Sequence, residues 1–460
     1  MKISINNIGH VKQAEIEVNS ITVIAGNNNT GKSTVGKALY ASATGLNLLK
    51  SGRVIEDKLN SIKTKLNALQ NLVELNSLQQ QKIRDLIKNS DINELIMWMA
   101  RDGRDDFKIE DMDEFYSKEM LKKIEDFFGV LELEVGRERD SSASRMGILQ
   151  IVKEDIVKLL QTSITNTRFQ MNIMQKVFEE EFLEQISHMN DTSLPSEVRI
   201  QELNENEIRL VFKEHQIVPE DTKLQVSRPF ARAFYIDNPF ILDEIQLKKI
   251  SRSRRSMYYH SETLKETLSP TIDWEDQNLF GLNNIEGKIE GIFKYVMKEG
   301  KLVKHKGRTY FEKLGLEAPL HIENMSTGFK SFSILYMLLT SDYLSSCEYI
   351  ILDEPEIHLH PDWQLKYAEL VVLISKELNL KVVITSHSPY FIEAIELFSK
   401  KHEFLPGVRF YRTKAENKNS QRYLIEDVTN NVKKLYDDLA LAFYSLEDLR
   451  NQIEEVEDEN

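Results

Sequence analysis

The stretch "IAGNNNTGKST" (Ile24–Thr34) follows the apolar run Ile21-Thr22-Val23-Ile24 and leads into Val35, Ala38 and Leu39, which share one helical face. A buried strand, a turn and a helix are expected there in that order. Gly26 and Gly31-Lys32-Ser33 fit the spacing G-x-x-x-x-G-K-[ST]. Glycines let the backbone wrap until successive N–H groups point inward. The helix that follows adds the positive end of its dipole. Such a loop, a P-loop, cradles phosphate. Gly26, Asn27, Asn28, Asn29, Thr30, Gly31, Lys32, Ser33 and Thr34 would line it, with Lys32 on the β- and γ-phosphates and Ser33 on Mg2+.

Composition bounds the rest of the chain. Its 460 residues allow about two to four domains. A hydrophobic content of 41% supports a real core, and a charged content of 29% fits long exposed helices. The net charge of −14 excludes a generally basic, histone-like nucleic-acid binder but leaves room for a local basic groove. Cys347 is the one cysteine; just ahead of an apolar strand, it reads as buried and structural. No run of about 18 apolar residues is present, so no membrane span is expected. The opening "MKISINNIGHVK" lacks the apolar segment of a signal peptide, and a cytoplasmic protein is expected.

Alternation of Ile3 with Ile5 and of Ile16 with Val18 predicts two half-buried strands before the P-loop. The pattern then changes. Ile55, Leu59, Ile62, Leu66, Leu69 and Val73 follow heptad spacing for under three repeats. Residues 1–50 are therefore the first part of a nucleotide-binding head, and 51–174 a helical, short coiled-coil-like insertion. Within it "GRERDSSASR" (Gly136–Arg145) is polar and reads as a loop. Residues 175–250 return to strand-rich text, and 251–304 form a polar helical lobe. Residues 305–412 complete the head, and 413–460 read as an acidic tail. Near the lobe, "KKISRSRR" places five positive charges in eight residues. Lys248, Lys249, Arg252, Arg254 and Arg255 are there either to meet nucleic-acid phosphates or as a solvated loop.

A phosphate loop needs a carboxylate strand beside it. "YIILDEPE" supplies four apolar residues and then Asp353 and Glu354 at the strand's carboxyl end, where open parallel sheets bind ligands. Asp353 would join Ser33 in the Mg2+ shell, and Glu354 would polarise the attacking water. "NMSTGFKS" (Asn324–Ser331) precedes a helical run and puts Ser326 and Gly328 at its start, either as a phosphate-facing turn or as an ordinary cap by Ser326 or Thr327. His387 in "ITSHSP" follows the next apolar strand, as a γ-phosphate sensor or a polar loop residue. His358 and His360 in "EIHLHP" sit two apart on a loop, a spacing that fixes no metal geometry.

Taken together and in this order, the P-loop, Ser326-Thr327-Gly328-Phe329-Lys330, Asp353-Glu354 and His387 resemble the ATP-binding-cassette (ABC-type) AAA-domain ATPases. "DEPEIHLHP" and "TSHSP" point to the OLD-like branch, related to the heads of the SMC proteins and their DNA-repair relatives. The resemblance implies an α/β fold: an ABC-ATPase head with a mixed, largely parallel sheet and a large helical insertion. It implies ATP with Mg2+, catalysis by Glu354 and His387, and a homo-oligomer in which the P-loop of one head faces Ser326 and Gly328 of another. Gln185 in "FEEEFLEQI" is the candidate lid-sensing glutamine. His360 stands where transporter cassettes carry an aspartate that communicates across the dimer.

Members of this branch are frequent in bacterial anti-phage defence operons; the Septu-type ATPase, paired with an HNH nuclease, and the PARIS-type ATPase, paired with a TOPRIM effector, are the nearest models. OLD nucleases carry a TOPRIM domain after the "SHSP" motif, and Tyr390–Asn460 shows no acidic strand-end set for one. The expectation is an ATPase without a nuclease centre, controlling a separate effector nuclease. An SMC-like DNA-repair or DNA-tethering ATPase is the alternative, weakened by the broken heptads; a self-sufficient OLD-like nuclease is a third.

Overall fold

Ile21–Ala25 is buried at every position, as expected of a parallel strand covered on both faces. In a computed structural model this strand, β3, lies near the middle of a twelve-stranded mixed sheet. The structure describes residues 1–49, 53–72, 77–88, 109–135, 142–189, 191–202, 206–226, 232–247, 258–269, 286–298, 300–305, 308–340, 347–417, 420–439, 446, 448–450 and 452–453. The basic run 248–255 lies outside them.

Contacts divide the chain into two units, 1–45 with 174–460, and 46–173. The first unit holds the sheet. β1 (Lys2–Ile8) and β2 (Val11–Glu17) form an antiparallel hairpin, with Ile3, Ile5, Ala14 and Ile16 buried. β1 also pairs with β4 (Ser196–Gln201), which continues antiparallel into β5 (Asn206–Lys213); β6 (Gln216–Ile217) and β7 (Lys223–Val226) border β5. On the other side of β3 come β13 (Lys381–Ser386), β12 (Cys347–Asp353) and β8 (Arg232–Ile236), all parallel. β9 (Lys301–His305), β10 (Arg308–Glu312) and β11 (Leu320–His321) make a separate antiparallel sheet. The lobe expected at 251–304 thus ends in a strand.

Reading 413–460 as a tail is corrected by the sheet. β14 (Val408–Ala415) and β15 (Tyr423–Asp427) form a hairpin set between β3 and β2. Its charges hid it. Glu426 accepts from Arg412 and Lys414 across the hairpin, so polar residues fill positions where an apolar alternation would announce a strand.

Parallel pairing fixes which face each residue takes. Ile21, Val23 and Ala25 share a core with Ile350, Leu352, Val382 and Ile384, and with buried residues of α10 (Thr327–Leu339), α11 (Pro361–Leu378) and α12 (Pro389–Lys401). On the opposite face α1 (Lys32–Leu49) comes so close that a Cβ on Gly36 would lie 3.1 Å from Ile351 Cγ2. The parallel strands are therefore covered on both sides. Their register brings Ala25 opposite Ser386, Thr385 opposite Asp353 and Ile236 opposite Leu352. The residues just beyond each strand thereby meet along one carboxyl edge.

The second unit is helical: α2 (Arg53–Leu72), α3 (Ser77–Lys88), α4 (Ile109–Val135) and α5 (Ser142–Gln161), with α6 (Thr167–Glu181) leading back. The heptad residues Ile55, Leu59, Ile62, Leu66 and Leu69 are buried; Val73 lies outside the described residues. Ser142–Arg145, expected in a loop, open α5. Inside this unit Lys58 Nζ lies 2.6 Å from Asp113 Oδ1, with the two side chains 2% and 6% exposed. It also donates to Ser117 Oγ and Leu160 O, and Asp113 Oδ2 accepts from the Ile164 N–H. Burial lowers the Lys58 pKa against the pull of Asp113. Lys58→Ala leaves a buried carboxylate uncompensated and is expected to cost about 3–5 kcal/mol, read as an earlier denaturant midpoint for this unit by α-helical circular dichroism.

Candidate nucleotide site

β3 ends at Ala25 and the chain turns at once. A Cβ on Gly26 would sit 1.8 Å from Thr413 Oγ1 of β14. Gly31 has φ +87°, and a Cβ there would lie 2.7 Å from Val11 Cγ2 of β2. Both glycines are thus fixed by close approach, and the second also by conformation. Asn27, Asn28 and Asn29 are exposed at the tip, with Asn29 in the left-handed region. Thr30 is buried; its Oγ1 donates to Asn27 O and accepts from Thr413. Gly26 N–H donates to Ser386 O across to β13. Thr413, the first residue of the supposed tail, therefore buttresses the loop.

Lys32 is 3% exposed. Its Nζ donates to Asn27 O at 2.8 Å and lies 3.1 Å from Glu354 Oε1. Immediately after β12, Glu354 adopts φ +49°, a left-handed conformation that costs a non-glycine residue about 1–3 kcal/mol. Its N–H donates to both the carbonyl and the hydroxyl of Thr385 at 3.1 Å. His387 Nδ1 lies 3.4 Å from the same Glu354 oxygen. The amine, the carboxylate and the imidazole expected at this site are brought together.

Asp353 collects three hydroxyls. Oδ1 accepts from Ser33 at 3.0 Å and from Thr385; Oδ2 accepts from Tyr235 at 2.7 Å. Glu356 is 3% exposed. Its Oε1 accepts from Ser386 Oγ at 2.6 Å and from the His387 N–H at 3.2 Å, whereas Oε2 has no hydrogen-bond partner among the described residues. Burial raises its carboxyl above the usual range, opposed by the Ser386 hydroxyl and by His387. Thr385, Tyr235 and Glu356 were not singled out by sequence as members of this site.

Ser326 and Gly328 lie elsewhere. Ser326 is exposed and caps α10, its side chain accepting from Phe329 N–H at 3.3 Å. A Cβ on Gly328 would meet His358 O at 3.1 Å and Trp363 at 3.2 Å. Lys330 is buried, paired with Asp243 at 2.7 Å and bonded to Glu323 O. Among the described residues no hydrogen bond joins this turn to Lys32, Ser33, Asp353 or Glu354. Gln185 is exposed in the turn after α6 and is likewise outside that set; its backbone bonds Phe182 O. His358 lies edge-on to Phe240 at 5.8 Å, and His360 caps α11. Cys347 is buried at the start of β12, and burial pushes its thiol up to about 12.

Residues 1–392 match a family model described as AAA ATPase domain (AAA_15). The chain belongs to this family of AAA ATPase domains. Solved structures similar to this ATPase include the SMC head domain from Thermotoga maritima, at 10% identity over 93% of this chain and 98% of that one, with a TM-score of 0.36. An Smc head domain with an extended coiled coil from Pyrococcus furiosus, bound to the C-terminal domain of ScpA, matches at 11% identity over 98% of both chains, with a TM-score of 0.32. No curated protein matches this ATPase. Among the described residues no helix is long and apolar enough to cross a membrane.

The donor set fits a magnesium nucleotide. Ser33 and Asp353 present hard oxygen donors on adjoining elements, and Mg2+ takes one or two carboxylates from a protein when phosphates supply the rest. Lys32 and the N–H groups of a glycine-shaped loop at the start of α1 fit the phosphates.

Proposed function

We propose that this AAA ATPase is the ATP-binding and ATP-hydrolysing regulatory subunit of a bacterial anti-phage defence complex. It works in the cytoplasm as a dimer or larger oligomer and controls a separate effector nuclease of HNH or TOPRIM type. The observation that carries the ATP reading is the meeting of Lys32, Glu354 and His387 on one carboxyl edge, beside Ser33 and Asp353. The defence role rests on the "DEPEIHLHP" and "TSHSP" text that surrounds Glu354 and His387.

Lys32 exchanges Glu354 for phosphate oxygens when ATP enters the cradle. Glu354 is then free to take a proton from the attacking water, held in reach by the turn that fixes its backbone. Glu356 grips the His387 backbone N–H, which keeps the imidazole beside Glu354, where a γ-phosphate would come. Mg2+ at Ser33 and Asp353 would neutralise charge on the β- and γ-oxygens. Ser326 and Gly328 complete the site of a second copy, with Gln185 as the lid-sensing residue. The basic run 248–255 is the proposed contact for nucleic acid.

The test is the composition of the complex purified from its native cells through a tag on this chain. A nuclease that co-purifies in fixed stoichiometry, while the isolated ATPase hydrolyses ATP and leaves DNA and RNA uncut with Mg2+ or Mn2+, is the expected result. A bare DNA-binding dimer favours the tethering alternative. Metal-dependent cleavage mapping to acidic residues of this chain restores the self-sufficient nuclease.

A further inference from the structure

The Tyr235 hydroxyl on Asp353 belongs to a construction that reaches beyond the nucleotide edge. The Tyr235 side chain is fully buried. Room for its ring is made by Gly36 inside α1, where a Cβ would lie 2.8 Å from Tyr235 Cε2. Glycine inside a helix costs about 1 kcal/mol relative to alanine; here it admits an aromatic ring under the helix. Against the ring packs His260, the first residue of α8 (His260–Leu268), with centroids 4.5 Å apart and planes 50° apart.

His260 is itself 1% exposed and held at both nitrogens. Nδ1 is 2.8 Å from Glu181 Oε1 and Nε2 is 3.0 Å from Asp237 Oδ2. Two carboxylate acceptors require two N–H donors, which only the imidazolium has. Burial opposes that charge, but the two carboxylates outweigh it and lift His260 to about 9. Tyr40 and Tyr259 flank the ring at 6.1 and 4.3 Å. Glu181 Oε2 also accepts the His260 backbone N–H. Asp237 stands just past β8, and Glu181 is the last residue of α6, the helix that brings the chain back from the helical unit.

We propose that Tyr235 is a positioning residue for Asp353, clamped by the buried Glu181–His260 pair and by Asp237 at the surface end of the same triad, so that the end of α6 sets the metal affinity of the nucleotide site. The inference rests on the ATP reading above. Asp353 Oδ1 serves Ser33 and Thr385 while Oδ2 is tied to Tyr235, which fixes the carboxylate plane toward Ser33. Partners that orient a ligating carboxylate typically change metal affinity or activity by 10–100-fold when removed.

The experiment is a Mg2+ titration of ATP binding to the full chain, with an EDTA arm. Tyr235→Phe keeps the ring and removes the hydroxyl. It should bind ATP in EDTA as the wild type does, yet need about 10–100-fold more Mg2+ for the metal-dependent gain in affinity. An unchanged Mg2+ requirement overturns the positioning role. His260→Gln should raise the requirement in the same direction and add little in the double variant, because both act through one hydroxyl. Independent, multiplicative effects overturn the clamp. Should His260→Gln fail to fold by circular dichroism, Glu181→Gln, which keeps the side-chain length but loses the charge and one of the two acceptor oxygens facing His260, replaces it in the cycle with the same criterion. A wild type that binds no ATP at any Mg2+ concentration strikes the nucleotide reading itself, an outcome distinct from an unaltered Tyr235→Phe.

Discussion

Glu354→Gln is expected to lower ATP turnover by about 10²–10⁴-fold while ATP stays bound. Glutamine keeps the length of the side chain, and the backbone N–H stays bonded to Thr385, so the turn at φ +49° has no new reason to move. What it loses is basicity: an amide cannot take a proton from water. It also releases Lys32, whose Nζ lies 3.1 Å from the glutamate oxygen, for undivided contact with phosphate. Nucleotide affinity should therefore be equal or tighter. Lys32→Ala gives the opposite pattern, since it removes the buried cation from the cradle and weakens binding directly. Phosphate release and a fluorescent-nucleotide titration on both variants separate the two effects. Near-normal turnover by Glu354→Gln would remove this residue from its assigned role.

How much of this site was legible depends on where each contact is encoded. The cradle is local: Gly26 to Ser33 are neighbours in the chain, and their spacing alone places them. Asp353, Glu354 and His387 were reachable because each directly follows an apolar strand, and parallel strands end on a common edge. Tyr235, Thr385 and Glu356 were not, because their roles come from register. Thr385 serves Asp353 only because those two residues are paired across β12 and β13, and Tyr235 arrives from β8 on the far side of β12. One signal for Tyr235 was present, the glycine at position 36 within a segment otherwise suited to a helix. The β14–β15 hairpin was hidden for another reason: its cross-strand ion pairs replace the apolar alternation from which strands are read. Thr413, which buttresses the cradle, was lost with it. The turn carrying Ser326 and Gly328 was legible as a sequence and ambiguous as a role, since a helix cap and a phosphate-facing turn use the same residue types.

That ambiguity is what a mixing experiment resolves. Ser326 caps α10 within its own chain, but it is exposed and bonded to no residue of the cradle. The turn around it is firmly held: Lys330 is buried on Asp243, and Gly328 packs against His358 and Trp363. Ser326→Arg should therefore cost the monomer about 1 kcal/mol, the worth of a cap, and leave it folded. Across a dimer interface the same arginine would displace the hydroxyl from a partner's phosphate, and turnover should drop by about 10²-fold or more, as when one preorganised donor is lost. Lys32→Ala is inactive for a different reason. Mixed together, the two variants form a heterodimer with one ruined composite site and one intact site, the latter pairing the cradle of the Ser326→Arg chain with the turn of the Lys32→Ala chain. With free exchange at equal concentrations half the dimers are mixed, so independent sites should restore about one quarter of wild-type activity in a symmetric two-fold assembly. Turnover is measured on each variant alone and across mixing ratios, with heterodimers quantified by differential tags. If heterodimers form and no ratio restores activity, Ser326 is only a helix cap and each chain does not lend its turn to the other.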